Sequence, residues 1–297
     1  MESFSLLLYT FLLRPYVFVF LLIYFLGCSL HLGVKRAVFF VIIGYVIAWL
    51  SEFCSIHSGI PYGHYYYIEQ TRGKEIWVLG VPFMDSLSYV FLAYASYSLA
   101  LMMASPILMN GRAPYPLETR KIRSSFYARA LGAIFFVYLD IIIDPVALQG
   151  SKWFLGQIYG YPERGAYFGV PISNFGGWLV VGFLMIYTLQ WIDSYLDKKS
   201  AKDYTGYFYP WRFIVGPALY ISVLIFNICV TFAIGDYQLG WTGVFIALLP
   251  IVLFVTIMKL KKTNQDIAYA VQAHMADFPS AVVPGSHGKP ISHNARS

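Results

Sequence analysis

Four acidic side chains stand where acids are costly. Glu52, Asp85, Asp140 and Asp144 lie within or at the ends of long apolar stretches, and an acid inside a membrane helix costs about 2.5 to 3.5 kcal/mol on insertion scales. Asp140 and Asp144 are four residues apart, so a helix puts both carboxyls on one face. Like charges at that spacing favour a shared proton. Burial away from water pushes the same way, towards a neutral acid able to donate one. All four acids fall toward the same ends of their predicted spans, which predicts a cavity between helices with general acid–base chemistry as its use. Glu52, Asp85, Asp140 and Asp144 are therefore the catalytic candidates.

The connections at that end are rich in turn residues and aromatics: SIHSGIPYGHYYY at 55–67, LGVPF at 79–83 and GYPERGAYFGVPISNFGGW at 160–178. Gly and Pro fix tight backbone paths, and Tyr62, Tyr65, Tyr66, Tyr67, Tyr161 and Tyr167 offer hydroxyls beside apolar faces. Tyr62, His64, Tyr66, Tyr167, Asn174 and Trp178 are the expected substrate contacts. Asn174 can equally cap a helix, and Glu163 with Arg164 reads first as a solvent-facing ion pair. His57 and His64 with Glu52 match no standard zinc spacing. Only six His are present, three of them at His274, His287 and His293, which disfavours a many-histidine di-iron hydroxylase; no metal is expected. A retinal-linked protein would need a Lys inside the last span, and 241–258 has none.

The elements that must hold these groups are membrane helices. Apolar residues make up 58% and charged ones 12% of the 297 residues, against roughly 25% charged in soluble domains. Seven stretches approach the roughly 20 apolar residues a spanning helix needs: 17–32, 37–54, 81–103, 126–148, 175–191, 213–234 and 241–258. Arg14-Pro15 should kink the first apolar run or set a short interfacial segment apart. That run lacks the basic start and small-residue cleavage site of a signal peptide.

One set of flanks carries fourteen Lys and Arg, from Lys35 and Arg36 to Lys262, and the other only Arg14, Arg72, Lys74, Lys152 and Arg164. The positive-inside bias then puts the N-terminus outside and the C-terminus in the cytoplasm. Read this way, the net charge of +6 reflects topology and lipid headgroups, with no nucleic-acid partner, and the cation-rich halves of the spans are expected to be nearly free of ionisable groups. Cys28, Cys54 and Cys229 sit in predicted spans as small apolar fillers. The expectation is an all-α bundle over 1–262 in the cell membrane, followed by a polar, disordered tail over 263–297.

The order of motifs resembles the carotenoid biosynthesis proteins that include bisanhydrobacterioruberin hydratase and the gamma-carotene 1′-hydratases. The resemblance covers most of 40–195. It rests on the second span ending in Glu52, PYGHYYY at 61–67, LGVP at 79–82, DIIIDPVA at 140–147 and YFGVPISNFGGW at 167–178. It implies addition of water to the terminal double bond of an acyclic or monocyclic carotenoid, without cofactor or metal. The residues suit that chemistry: an acid protonates the alkene, a base-positioned water captures the tertiary cation, and aromatic faces steady it. A lycopene-cyclase-like isomerase, a transporter and a plain carotenoid-binding protein remain alternatives. Oligomeric state is unknown.

Overall fold

A computed structural model describes residues 2–110, 113–152, 157–199, 211–264, 266–279, 281 and 283. The helices are α1 (Glu2–Leu13), α2 (Pro15–His31), α3 (Val34–Ser58), α4 (Phe83–Ala104), α5 (Arg120–Arg123), α6 (Phe126–Ala147), α7 (Ile172–Lys199), α8 (Arg212–Ala233), α9 (Tyr237–Asn264) and α10 (Ile267–Asp277). Among the described residues, α3, α4, α6, α7, α8 and α9 are long and apolar enough to cross a membrane. The segments on either side of Arg14 are bent by 85° and make a seventh span if counted together. Pro15 explains the break: it fits the first turn of α2, where its missing N–H is not needed, but cannot continue α1.

Helix α4 is the hub, packing against α2, α3, α6, α7 and α8 and burying nearly every side chain from Tyr89 to Met103. By contrast α9 and the outer faces of α3 and α8 show Ile42, Val46, Ile225, Phe245, Leu249 and Val252 to the surroundings, as lipid-facing helices do. Small residues let helices close up: a Cβ on Gly132 would meet Ile186, and one on Gly182 would meet Phe136, across the α6–α7 contact.

Two short antiparallel pairings organise one end of the bundle. β1 (Tyr66–Tyr67) pairs with β6 (Tyr159–Gly160), and β2 (Trp77–Val78) with β3 (Val81–Pro82). At the other end a hairpin of β4 (Ile107–Asn110) and β5 (Ala113–Pro116) leads to α5.

That second end corrects the expectation of spans empty of ionisable groups. Glu118 receives His31 Nε2 at 2.9 Å and Arg123 Nε at 2.7 Å. Arg36 Nε donates to Asp193 at 2.5 Å and also pairs with Asp197. These Arg side chains are buried, so cations read as surface topology signals are partly internal ion pairs. The stretch just past the bundle also holds a helix. In α10, His274 is buried with Nδ1 2.5 Å from the Glu118 carbonyl, and Asp277 accepts the Arg120 amide at 2.7 Å. The expected disorder beyond 283 lies outside the described residues.

Candidate active site

The acid-bearing helices converge on one cavity at the end where the pairings lie. It spans about 950 Å³, open solvent at its mouth included, and is lined by Glu52, Asp85, Asp144, Asn174, Arg14, five tyrosines of the connecting loops and an apolar set that includes Phe20, Phe91, Leu92, Val223 and Phe226.

Helical spacing places Asp140 and Asp144 on one face of α6, and Asn174 in the first turn of α7 bridges them. Its Nδ2 donates to Asp140 Oδ2 at 2.9 Å and to Asp144 Oδ2 at 2.7 Å. The Asn174 side chain thus serves the acids and does not cap the helix. Asp144 also accepts Tyr159 Oη at 2.7 Å and Tyr161 Oη at 3.0 Å. Burial above all pushes both phenols up, so they stay neutral donors. Asp140 is fully buried behind Asp144 and outside the cavity lining.

On the facing wall Glu52 accepts Tyr67 Oη at 2.9 Å and the Ser86 hydroxyl. Asp85, at the start of α4, is committed to Arg14, whose Nη1 donates at 2.6 Å while Nη2 reaches Glu75 at 2.9 Å. Arg14 is 1% exposed, and a guanidinium so buried needs such partners to offset its loss of water.

Of the expected substrate contacts, Tyr62, Asn174 and Trp178 line the cavity. Trp178 stacks on Tyr89 at 4.5 Å between ring centres, and Tyr62 Oη lies 2.9 Å from Ser51. His64 and Tyr66 are exposed, and Tyr167 packs edge-on against Phe168 and Phe175 outside the lining. Glu163 and Arg164 are exposed, and His57 bonds the Phe53 carbonyl at 2.8 Å within its own helix. Among the described residues no three His, Cys, Asp or Glu converge as metal ligands.

The sequence reading passed over Arg14, Glu75, Ser86 and Tyr159. Arg14 had a signal, since a cation between two apolar helices has to find an acid. Leu79 and Phe168, in the LGVP and YFGVP loops, hold left-handed φ values of 48° and 47°, a strain that collects at functional sites.

A model of the carotenoid biosynthesis protein family matches residues 7–263, from the first helix through the last span. The chain belongs to this family. No curated protein and no solved structure matches it. The cavity combines apolar side chains with carboxyls, phenols and an amide. Membership points to a biosynthetic enzyme and the long apolar helices to a membrane protein.

Proposed function

We propose that the chain is a carotenoid hydratase that adds water to the terminal double bond of an acyclic carotenoid end group by acid–base catalysis. The observation that carries this reading is the Asp140–Asn174–Asp144 unit at the polar end of an otherwise apolar cavity. Two carboxyls joined by one amide in a site with little water hold a proton between them. Asp144, which faces the cavity, delivers it to the less substituted alkene carbon, leaving the pair ionised. The other alkene carbon becomes a tertiary cation. Water adds there through oxygen and releases its proton to Glu52, which accepts the Tyr67 and Ser86 hydroxyls, and return of that proton through water to the Asp140–Asp144 pair closes the cycle. One C–H and one C–O bond form, the double bond is lost, and no electrons leave the system. Asp85, held by Arg14, fixes the wall beside Glu52.

A cyclase would share the acid but needs no water-holding groups opposite it, and Glu52 with its hydroxyls supplies such groups. A transporter would run acids through the bundle. The acids at the far end pair with Arg and His, and His31, Glu118, Arg123 and Asp193 are all absent from the cavity lining. Under this proposal the N-terminus faces outward and the C-terminus the cytoplasm of the cell membrane, with lipid, carotenoid and water as partners.

Mass-resolved pigment analysis of lycopene-producing and gamma-carotene-producing bacteria expressing the chain tests the reading. A pigment heavier by one water supports it. Unchanged mass with a shifted spectrum favours cyclisation, and no new pigment favours transport or plain binding.

A further inference from the structure

Tyr65, Tyr67, Tyr159 and Tyr161 line the cavity together. Tyr67 and Tyr159 face each other across the β1–β6 pairing. Tyr65 is the centre of the group: its ring lies 5.4 Å from Tyr67, 6.0 Å from Tyr159 and 6.3 Å from Tyr161, edge-on in each case. The outer three are pinned through their hydroxyls, Tyr67 to Glu52 and the other two to Asp144. A ring held on three sides by anchored neighbours has little freedom to turn.

This cluster stands between the two carboxyl sites that the reaction uses, where a cation would form. A carboxylate beside a carbocation attracts it but also traps it, by taking back a proton or closing to an ester. An aromatic face attracts the cation and does neither. We infer that Tyr65 is a further catalytic residue, whose ring face stabilises the tertiary carbocation until water adds to it. The inference rests on the hydratase reading and adds a cation site to it. The hydroxyl of Tyr65 is not part of the role, so Phe should replace it and an aliphatic residue should not.

The test is binding of a cation shaped like the intermediate, measured by calorimetry on the full chain in detergent. The probe is N,N-dimethylgeranylamine, protonated at neutral pH, compared with the isosteric hydrocarbon in which carbon replaces nitrogen. Tyr65→Phe should bind the ammonium within about threefold of wild type, while Tyr65→Leu should lose roughly tenfold or more, with hydrocarbon binding unchanged in both. Hydrocarbon binding also reports whether each variant is folded. If Tyr65→Leu does not purify, trifluorophenylalanine at position 65 takes its place, and its electron-poor ring should weaken the ammonium alone. Equal affinity in all variants, or equal losses for both probes, overturns the cation site. Ring-dependent ammonium binding with no hydrated pigment from wild type would keep the cation site and overturn the hydratase reading.

Discussion

Asn174 presents one amide nitrogen to two acids, so its replacement separates a role in the proton pair from a role in folding. Asn174→Ala should lower turnover by about 10² or more, in the range of general acid catalysis, with little change in the concentration of carotenoid that half-saturates; steady-state rates in detergent check this. Arg14→Gln should act on stability first. It leaves Asp85 and Glu75 without their cation, and breaking a buried ion pair costs about 3 to 5 kcal/mol, visible as a lower melting temperature. The acids and Asn174 were legible in the sequence because polar residues in apolar stretches are conspicuous. The partners were less so, since Arg14 meets residues 61 and 71 positions away, and no local spacing encodes such a contact. His64, Tyr66 and Tyr167 share the motif loops, but a tyrosine-rich loop points some rings inward and some outward, and composition does not say which.

Among the elements, the spans were readable from hydropathy because a backbone in hydrocarbon has few alternatives to a helix. The loops between them take their shape from close contacts. A Cβ on Gly177 of α7 would lie 2.6 Å from the Pro61 carbonyl oxygen and 2.7 Å from Tyr62 Cα, so only Gly lets the 59–63 turn rest on α7. Gly177→Ala should push that turn away, cost about 1 to 3 kcal/mol, and impair hydration through Tyr62 and Trp178; paired melting and activity measurements check it. Helix α10 escaped notice because it is short and only partly apolar. Burial above all lowers the His274 imidazole from its ordinary 6.5. Docked α10 therefore keeps His274 neutral while the undocked helix takes a proton below about that pH, so docking weakens as pH falls through 6.5. Protection factors of the α10 amides, which remove the intrinsic pH dependence of exchange, should fall between pH 8 and 5.5 in wild type and stay level in His274→Asn.

Across the whole molecule the two ends divide the work, a polar-capped cavity at one and paired charges at the other. Burial alone would raise the Glu118 carboxyl, but His31 and Arg123 outweigh it and hold it at about 2. Its contribution to stability is thus complete above the ordinary carboxylate range, near 4.5, and is lost as pH falls from there toward 2. Acid unfolding should be steeper in wild type than in Glu118→Gln over that window. The sequence could count the cations at this end, but it could not say which are buried, because His31, Asp193 and the Glu118–Arg123 stretch come from three separate segments. The central claim is that the Asp140–Asp144 pair drives addition of water to a carotenoid end group. Its most direct test supplies the purified chain with a linear carotene in heavy-oxygen water, beside Asp140→Asn and Asp144→Asn. The account predicts one heavy oxygen per hydrated end in wild type and at least about 100-fold less product in either variant. Product without the label, or variants equal to wild type, would contradict it.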